Sequence, residues 1–134
     1  MKITFCLTVL GVCSLAGCTS SSDLGPLSNF YHDCSGAHGR NRRYVHETLK
    51  RALEGDYAAL HAVFTDPRIY DTGDNEAYTE LPCTLLQALG DDRYAAFVTS
   101  QPQETQDFAL MLSPEDVRTY PKTSKLFYTH QRKL

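Results

Sequence analysis

The sequence TLKRALEGDYAAL at residues 48–60 closely matches the sequence TLLQALGDDRYAAF at residues 84–97. Thr-Leu, Ala-Leu and Tyr-Ala-Ala recur in the same order, with one residue inserted near the Gly-Asp turn of the second stretch. The period is about 36 residues, which is typical of helix–turn–helix repeats. The sequence therefore predicts two duplicated helical hairpins, at about 43–64 and 79–99.

The spacing of apolar residues supports both hairpins. The first helix would bury a stripe formed by Tyr44, Val45, Thr48, Leu49, Ala52 and Leu53, and its counterpart a stripe formed by Leu81, Leu85, Leu86 and Leu89. Gly55 and Gly90 can end these helices, Asp56 can cap the next one, and Asp91 or Asp92 can start its counterpart. Pro82 is expected in the first turn of its helix, where its missing N–H costs nothing. Because Tyr57 and Tyr94 recur, both are predicted to pack between helices.

Helix signals continue to the C-terminus. Pro102 can open a helix that reaches Leu112, Ser113-Pro114 reads as a capped helix start, and Pro121 can open a last helix. No stretch alternates with the period of a strand. Residues 43–112 resemble HEAT-like and other αα-repeat families in architecture. The predicted fold class is all-α, a small αα-repeat-like helical bundle spanning residues 30–134.

The N-terminus carries an export signal. Lys2 is followed by ITFCLTVLGVCSLA, a run of about fourteen apolar or small residues, which is shorter than the about 20 needed to cross a membrane. Leu15-Ala16-Gly17-Cys18 then resembles the lipobox of bacterial lipoproteins. The resemblance implies that residues 1–17 are removed and that Cys18 carries acyl chains, such as palmitate, that anchor the protein. Thr19 in place of Asp favours the outer membrane in that family.

An envelope location sets expectations for the rest of the chain. Residues 18–29, which are rich in Ser, are expected to form a flexible tether. Cys34 and Cys83 are an even pair in an oxidising compartment, so a disulfide between them is expected. Without its signal the chain carries a formal charge of about −4, which argues against nucleic acid as a partner.

Two polar segments are candidate metal-binding sites. Residues 30–47 hold His32, Asp33, Cys34, His38 and His46, but their spacing matches no zinc pattern. The loop at 66–77 is rich in acids that could hold calcium through their oxygens, although turn chemistry explains them as well. No metal and no cofactor is therefore predicted. Candidate partner-binding residues near this loop are Tyr70, Asp71, Asp74, Glu76 and Tyr78.

The sequence predicts a binding protein and not an enzyme, because it contains no G-x-S-x-G, H-E-x-x-H or phosphate-binding loop. The expected function is that of an envelope-anchored lipoprotein facing the periplasm, in concrete form an immunity protein that inhibits a basic exported toxin or cell-wall enzyme. An accessory subunit of an envelope or secretion complex is one alternative. The other is a small peptidoglycan hydrolase, which would bring two carboxylates together in an open cleft.

Overall fold

The protein is described by a computed structural model over residues 20–69 and 75–134, with the backbone alone at residues 75–77. The α-helices are α1 (Ser28–Asp33), α2 (Arg42–Leu53), α3 (Tyr57–Thr65), α4 (Asn75–Leu89), α5 (Asp91–Ser100), α6 (Gln103–Ala109), α7 (Pro114–Val117) and α8 (Pro121–Gln131). Two 3₁₀ helices, Ser21–Leu27 and Ser35–His38, flank α1. These ranges contain no strand, so the predicted all-α class is confirmed.

The two predicted hairpins are α2–α3 and α4–α5. Gly55 (φ 85°) and Gly90 (φ 84°) form the turns, in a left-handed conformation that favours glycine. Asp56 caps α3, because its Oδ1 accepts a hydrogen bond from the Ala59 N–H at 3.1 Å. The predicted glycine turn is therefore present in both hairpins, whereas the aspartate cap is present only in the first, because no side chain caps α5.

Residues that align between the two hairpins are not all buried to the same extent. Leu49 of α2 and Leu85 of α4, which align, are both completely buried. The aligned tyrosines differ: Tyr94 is completely buried, whereas Tyr57 keeps 43% of its surface exposed. The prediction that both tyrosines pack between helices therefore holds fully for Tyr94, whereas Tyr57 contacts Phe97 but keeps much of its surface exposed.

Pro82 lies in the interior of α4 and not in its first turn, which corrects the sequence-based prediction. The helix starts at Asn75, seven residues earlier. Because proline has no N–H, α4 lacks one internal hydrogen bond at this point. The residues before Pro82 contain no other helix breaker, and the apolar face around Leu81, Leu85 and Leu86 is completely or almost completely buried, which holds the helix together across the proline.

The C-terminal helices begin as predicted but are held by a long-range contact. Ser113 and Asp116 form a capping box at the start of α7, and α8 starts with Pro121. Asp91 starts α5, yet its carboxylate caps α8 instead: Oδ2 accepts from the Lys122 N–H and Oδ1 from the Thr123 N–H, each at 2.8 Å. Partial burial opposes ionisation, but the two N–H donors outweigh it and lower the pKa of Asp91.

Residues 20–29 belong to the folded domain, which corrects the tether expected over 18–29. Leu24 and Leu27 are completely buried, and the 3₁₀ helix that carries them packs against α1, α2 and α4. The Ser28 hydroxyl donates to the Gly25 carbonyl at 2.7 Å, which fixes the local turn. The Ser-rich composition suggested flexibility, but the two leucines contribute enough apolar burial to order the segment.

Cys34 and Cys83 are not joined by a disulfide, so that prediction is wrong. The Cys34 thiol is buried and donates to the Tyr31 carbonyl at 3.5 Å. The Cys83 thiol faces α7 instead and donates to Asp116 Oδ1 at 3.5 Å. An even cysteine count in an oxidising compartment permits a disulfide, but packing places these two thiols against different neighbours.

We expect two titratable thiols in the chain from residue 18 onward when Cys18 is replaced by serine. Burial and the nearby Asp116 raise the pKa of Cys83 to about 11, so only about one Cys83 thiol in a thousand is ionised at pH 8. Ellman's reagent should therefore react slowly with the folded protein and rapidly with two thiols in denaturant. The Cys83→Ser variant should give one thiol. A count of zero free thiols in denaturant would show that Cys34 and Cys83 are joined by a disulfide.

Candidate functional site

An apolar groove of about 210 Å³ lies between the start of α3 and the start of α5. It is lined by Gly55, Tyr57, Leu60, Leu89, Asp92, Arg93 and Ala96. Leu60 and Leu89, both buried, form its floor. Gly55 matters for its shape, because a Cβ at this position would meet the Arg93 guanidinium. The turns of the two hairpins thus meet around this groove.

The rim of the groove carries two side chains that are held in place. The Tyr57 ring packs edge-on against Phe97, with 5.7 Å between the ring centroids. The Arg93 guanidinium donates to the Glu54 carbonyl at 2.5 Å. Tyr and Arg are among the residues that contribute most to binding at protein interfaces. Because both are already fixed, less side-chain entropy is lost when a partner binds.

The size of the groove indicates what it can accept. Small-molecule sites usually enclose about 300–1,000 Å³, which exceeds the 210 Å³ found here. Its lining is mostly apolar, and its charged groups, Asp92 and Arg93, stand at the edge. The groove therefore suits one large apolar side chain inserted by another protein, surrounded by a polar rim.

A second depression brings two acids together between α1 and α4. It measures about 70 Å³ and is lined by Pro26, Asn29, Phe30, Asp33, Glu80, Leu81 and Thr84. A glycoside hydrolase must place a sugar between its two carboxylates. The volume of the depression is far below the about 300–1,000 Å³ of usual small-molecule sites. Asp33 and Glu80 thus line a depression that leaves little room for a sugar.

The predicted partner-binding residues are only partly described. Tyr70, Asp71 and Asp74 lie outside the described residues, as does Cys18, and the side chain of Glu76 is not described either. Tyr78 is 5% exposed, and its hydroxyl donates to the Val63 carbonyl at 3.2 Å. Its ring packs edge-on against two phenylalanines, so Tyr78 stabilises the core and presents no surface to a partner.

Two of the histidines considered as candidate metal ligands contact backbone carbonyl groups instead. A ring nitrogen of His38 lies 2.6 Å from the His32 carbonyl oxygen, and a ring nitrogen of the buried His46 lies 3.1 Å from the Ser20 carbonyl oxygen. Within residues 20–69 and 75–134, no group of three His, Cys, Asp or Glu side chains is arranged to hold a metal ion.

Among the helices within residues 20–69 and 75–134, none is long and apolar enough to span a membrane.

A polar cluster that the sequence did not reveal joins α2 to the end of α3. The Tyr44 hydroxyl donates to Asp66 Oδ2 at 2.5 Å, and Arg68 Nη2 donates to the same oxygen at 2.7 Å. The Arg68 guanidinium also lies 3.9 Å from the centre of the Tyr44 ring. The Arg68 hydrogen bonds, with a smaller contribution from Tyr44, lower the pKa of Asp66 to about 2. This cluster fastens the chain after α3 to the first hairpin.

Acidification should remove the stabilisation that Asp66 provides. Its pKa is lower in the folded protein than the usual 3.8, so the contribution is complete well above pH 4 and is lost as the pH falls towards 2. Asp66→Asn should cost about 1–2 kcal/mol at pH 7 and progressively less below pH 4. Urea unfolding between pH 2 and 7 measures this, with Asp33→Asn as an exposed control. A pH-independent difference would contradict the assignment.

Comparisons with known proteins give no relative: no protein-family model, no curated protein and no solved structure matches this chain. The function is therefore argued from the residues of this chain.

Proposed function

We propose that the protein is a lipoprotein, anchored in the envelope through Cys18, that faces the periplasm and binds another protein in the groove between α3 and α5. One observation carries the binding proposal: Tyr57 and Arg93 are fixed at the rim of an apolar groove that suits a single side chain. The lipobox resemblance at residues 15–18 supports the anchor. We place the anchor in the outer membrane, because Thr19 and not Asp follows Cys18.

The concrete form of the proposal is an inhibitor or immunity protein that neutralises an exported toxin or a cell-wall enzyme. Such a protein needs a rigid binding surface and no catalytic groups of its own. We treat α2–α3 and α4–α5 as duplicated hairpins, and helical repeats build grooves between neighbouring units. An accessory subunit of an envelope complex would use the same groove for a permanent partner.

The groove can be blocked without disturbing the core. Ala96 lines the groove on the exposed side of α5, so Ala96→Arg should fill it. Ala58 is an exposed alanine of α3 that does not line the groove, which makes Ala58→Arg a matched control with the same change in size and charge. Arginine is a good helix former, so both variants should fold.

The test is a pull-down of the tagged full-length protein from detergent-solubilised envelope of its own organism. We expect one exported toxin or wall enzyme at near-equal amount with the wild type and with Ala58→Arg, and its loss with Ala96→Arg. Recovery of envelope-complex subunits instead would favour the accessory role. A partner that Ala96→Arg retains would exclude the groove, and the absence of any specific partner would exclude the binding function.

The anchor is tested separately by fractionation. A Cys18→Ser chain should move from the membrane fraction to the soluble periplasmic fraction, and the wild type alone should incorporate a labelled palmitate analogue. Incorporation of label by Cys18→Ser would show that Cys18 is not the acylated residue.

A further inference from the structure

Charge is divided unevenly along the chain. Residues 118–134 contain five basic residues and no acid: Arg118, Lys122, Lys125, Arg132 and Lys133. Residues 18–117 contain all sixteen acids and seven basic residues, a net charge of −9. The acidic balance of the whole protein therefore conceals a basic C-terminal segment.

Four of these five cations lie on the exposed side of α8 or in the turn that follows it. Thr123, Phe127 and His130 are buried, and α8 packs on α5 and α7. Lys122, Lys125, Tyr128, Arg132 and Lys133 are exposed and are called here the basic face. Tyr128 keeps 48% of its surface exposed, while its ring packs edge-on against Phe127 at 5.0 Å. The basic face thus combines cations with a fixed aromatic ring.

Most of these cations are not neutralised. Lys122 Nζ pairs with Asp92 Oδ1 at 2.8 Å. In the part of the chain that the structure describes, Lys125, Arg132 and Lys133 form no ion pair, and Arg132 has a weak contact with the Thr129 hydroxyl at 3.4 Å. Lys125 lies in α8, whereas Arg132 and Lys133 lie in the turn that directly follows its last residue, Gln131.

The basic face begins at the edge of the groove. Asp92 lines the groove and also pairs with Lys122, and Asp91 caps the first turn of α8. A protein that inserts a side chain into the groove therefore meets the start of α8 as well. The groove and the basic face form a continuous candidate surface.

We propose that the partner presents an acidic surface, with an apolar side chain in the groove and Asp or Glu residues against the basic face. This inference rests on the proposed protein-binding function and adds the chemistry of the partner. It reverses the expectation from net charge, because a charge of about −4 alone indicates a basic partner. Local complementarity at the contact decides which partner is accepted. Asp92 pairs with Lys122 and Asp107 lies 3.5 Å from His130, so the cations left for a partner are Lys125, Arg132 and Lys133.

A protein fits this face better than a membrane does. Basic clusters that bind anionic lipid usually contain about four to eight cations, and only three here are unpaired. The 3₁₀ helix Ser21–Leu27, which follows the proposed lipid site, packs on α1, α2 and α4. The helix α8 packs on α5 and α7 instead, so the basic face and the segment next to the lipid site lie on different helices. An exposed tyrosine among the cations is typical of protein interfaces.

Photo-crosslinking in the organism's own cells tests the inference. A benzophenone amino acid replaces Tyr128 in the full-length protein, and the crosslinked segment is identified by mass spectrometry. We expect a protein segment with an excess of Asp and Glu. The triple variant Lys125→Glu, Arg132→Glu and Lys133→Glu should reduce the crosslink yield about tenfold. The matched triple Arg40→Glu, Arg42→Glu and Lys50→Glu, also exposed, should leave the yield unchanged.

Several results would overturn the inference: a crosslink to a basic segment, a crosslink to lipid, no crosslink, or equal losses in both triple variants. Circular dichroism of the purified variants shows whether they are folded. The proposed function can survive this failure, because a partner that Ala96→Arg releases would still establish groove binding. If that pull-down also recovers nothing, both proposals fail.

Discussion

Tyr94→Ala is expected to lower the free energy of unfolding by about 3–5 kcal/mol, whereas Tyr57→Ala should lower it by less than about 1 kcal/mol. Tyr94 is completely buried, and its hydroxyl donates to the Ala109 carbonyl at 2.7 Å. Removing the side chain leaves a cavity and an unsatisfied carbonyl in the core. Tyr57 is 43% exposed, so its removal leaves little unfilled space.

Tyr94→Phe separates the two contributions of Tyr94. It keeps the ring and removes only the hydroxyl, so we expect a loss of about 1–3 kcal/mol from the Ala109 carbonyl that remains buried. Urea unfolding at 25 °C, followed by circular dichroism, gives all three values. Equal losses for Tyr57→Ala and Tyr94→Ala would mean that the aligned tyrosines play the same structural role, against the burial described here. Partner binding, unlike stability, should depend on Tyr57: Tyr57→Ala should weaken partner binding while leaving the fold intact.

Gly36→Ala is expected to lower the free energy of unfolding by about 2–4 kcal/mol. A Cβ at Gly36 would collide with the Arg68 carbonyl, and it would lie 2.8 Å from the Ile69 carbonyl oxygen and 2.9 Å from Val45 Cγ2. Two of these neighbours are backbone atoms, which cannot rotate away as a side chain can. The Gly36 N–H also donates to the Ile69 carbonyl at 3.2 Å, so the displaced backbone would lose this bond as well.

Gly39→Ala is the matched control for Gly36→Ala. A Cβ at Gly39 would meet no atom within 4 Å, so we expect a change within about 0.5 kcal/mol. Both glycines belong to the same connection between α1 and α2, and the comparison therefore isolates the close approach of residues 68 and 69. If Gly36→Ala unfolded at the same urea concentration as Gly39→Ala, the contact between these two segments would be loose.

The parts of the fold that follow from short-range chemistry were predictable. Helical spacing of leucines, the left-handed turns at Gly55 and Gly90, and the Ser113 cap act within a few residues. Their physical causes are visible in the sequence, and the hairpins were predicted from them. Pro82 is the exception, because tertiary burial of the α4 face outweighs the local preference of proline for a helix start.

The missed features depend on contacts between distant residues. Asp91 looks like a cap for its own helix, but α8 brings the Lys122 N–H to its carboxylate. Cys34 and Cys83 satisfy the counting rule for a disulfide, yet packing decides their neighbours. No local pattern specifies either outcome.

The candidate binding groove could not be predicted from local sequence patterns either. The sequence match around Tyr57 suggests a buried residue, and only the structure shows that 43% of its surface is exposed. Arg93 lies near the inserted residue of the second matched stretch, next to its Gly-Asp turn, and it lines the groove.

If Cys18 carries the proposed lipid, the ordered chain from Ser20 onward limits how far the domain can move away from the membrane. One residue, Thr19, separates Cys18 from Ser20, so an extended connection spans about 7 Å. A chain acylated at Cys18 would then diffuse in two dimensions, in a thin layer next to the lipid headgroups. Its encounters with a target would depend on its density per area of membrane, and not on its concentration in the periplasmic volume. Protection by such an inhibitor would be a property of the membrane surface, strongest against a toxin that must reach that surface to act.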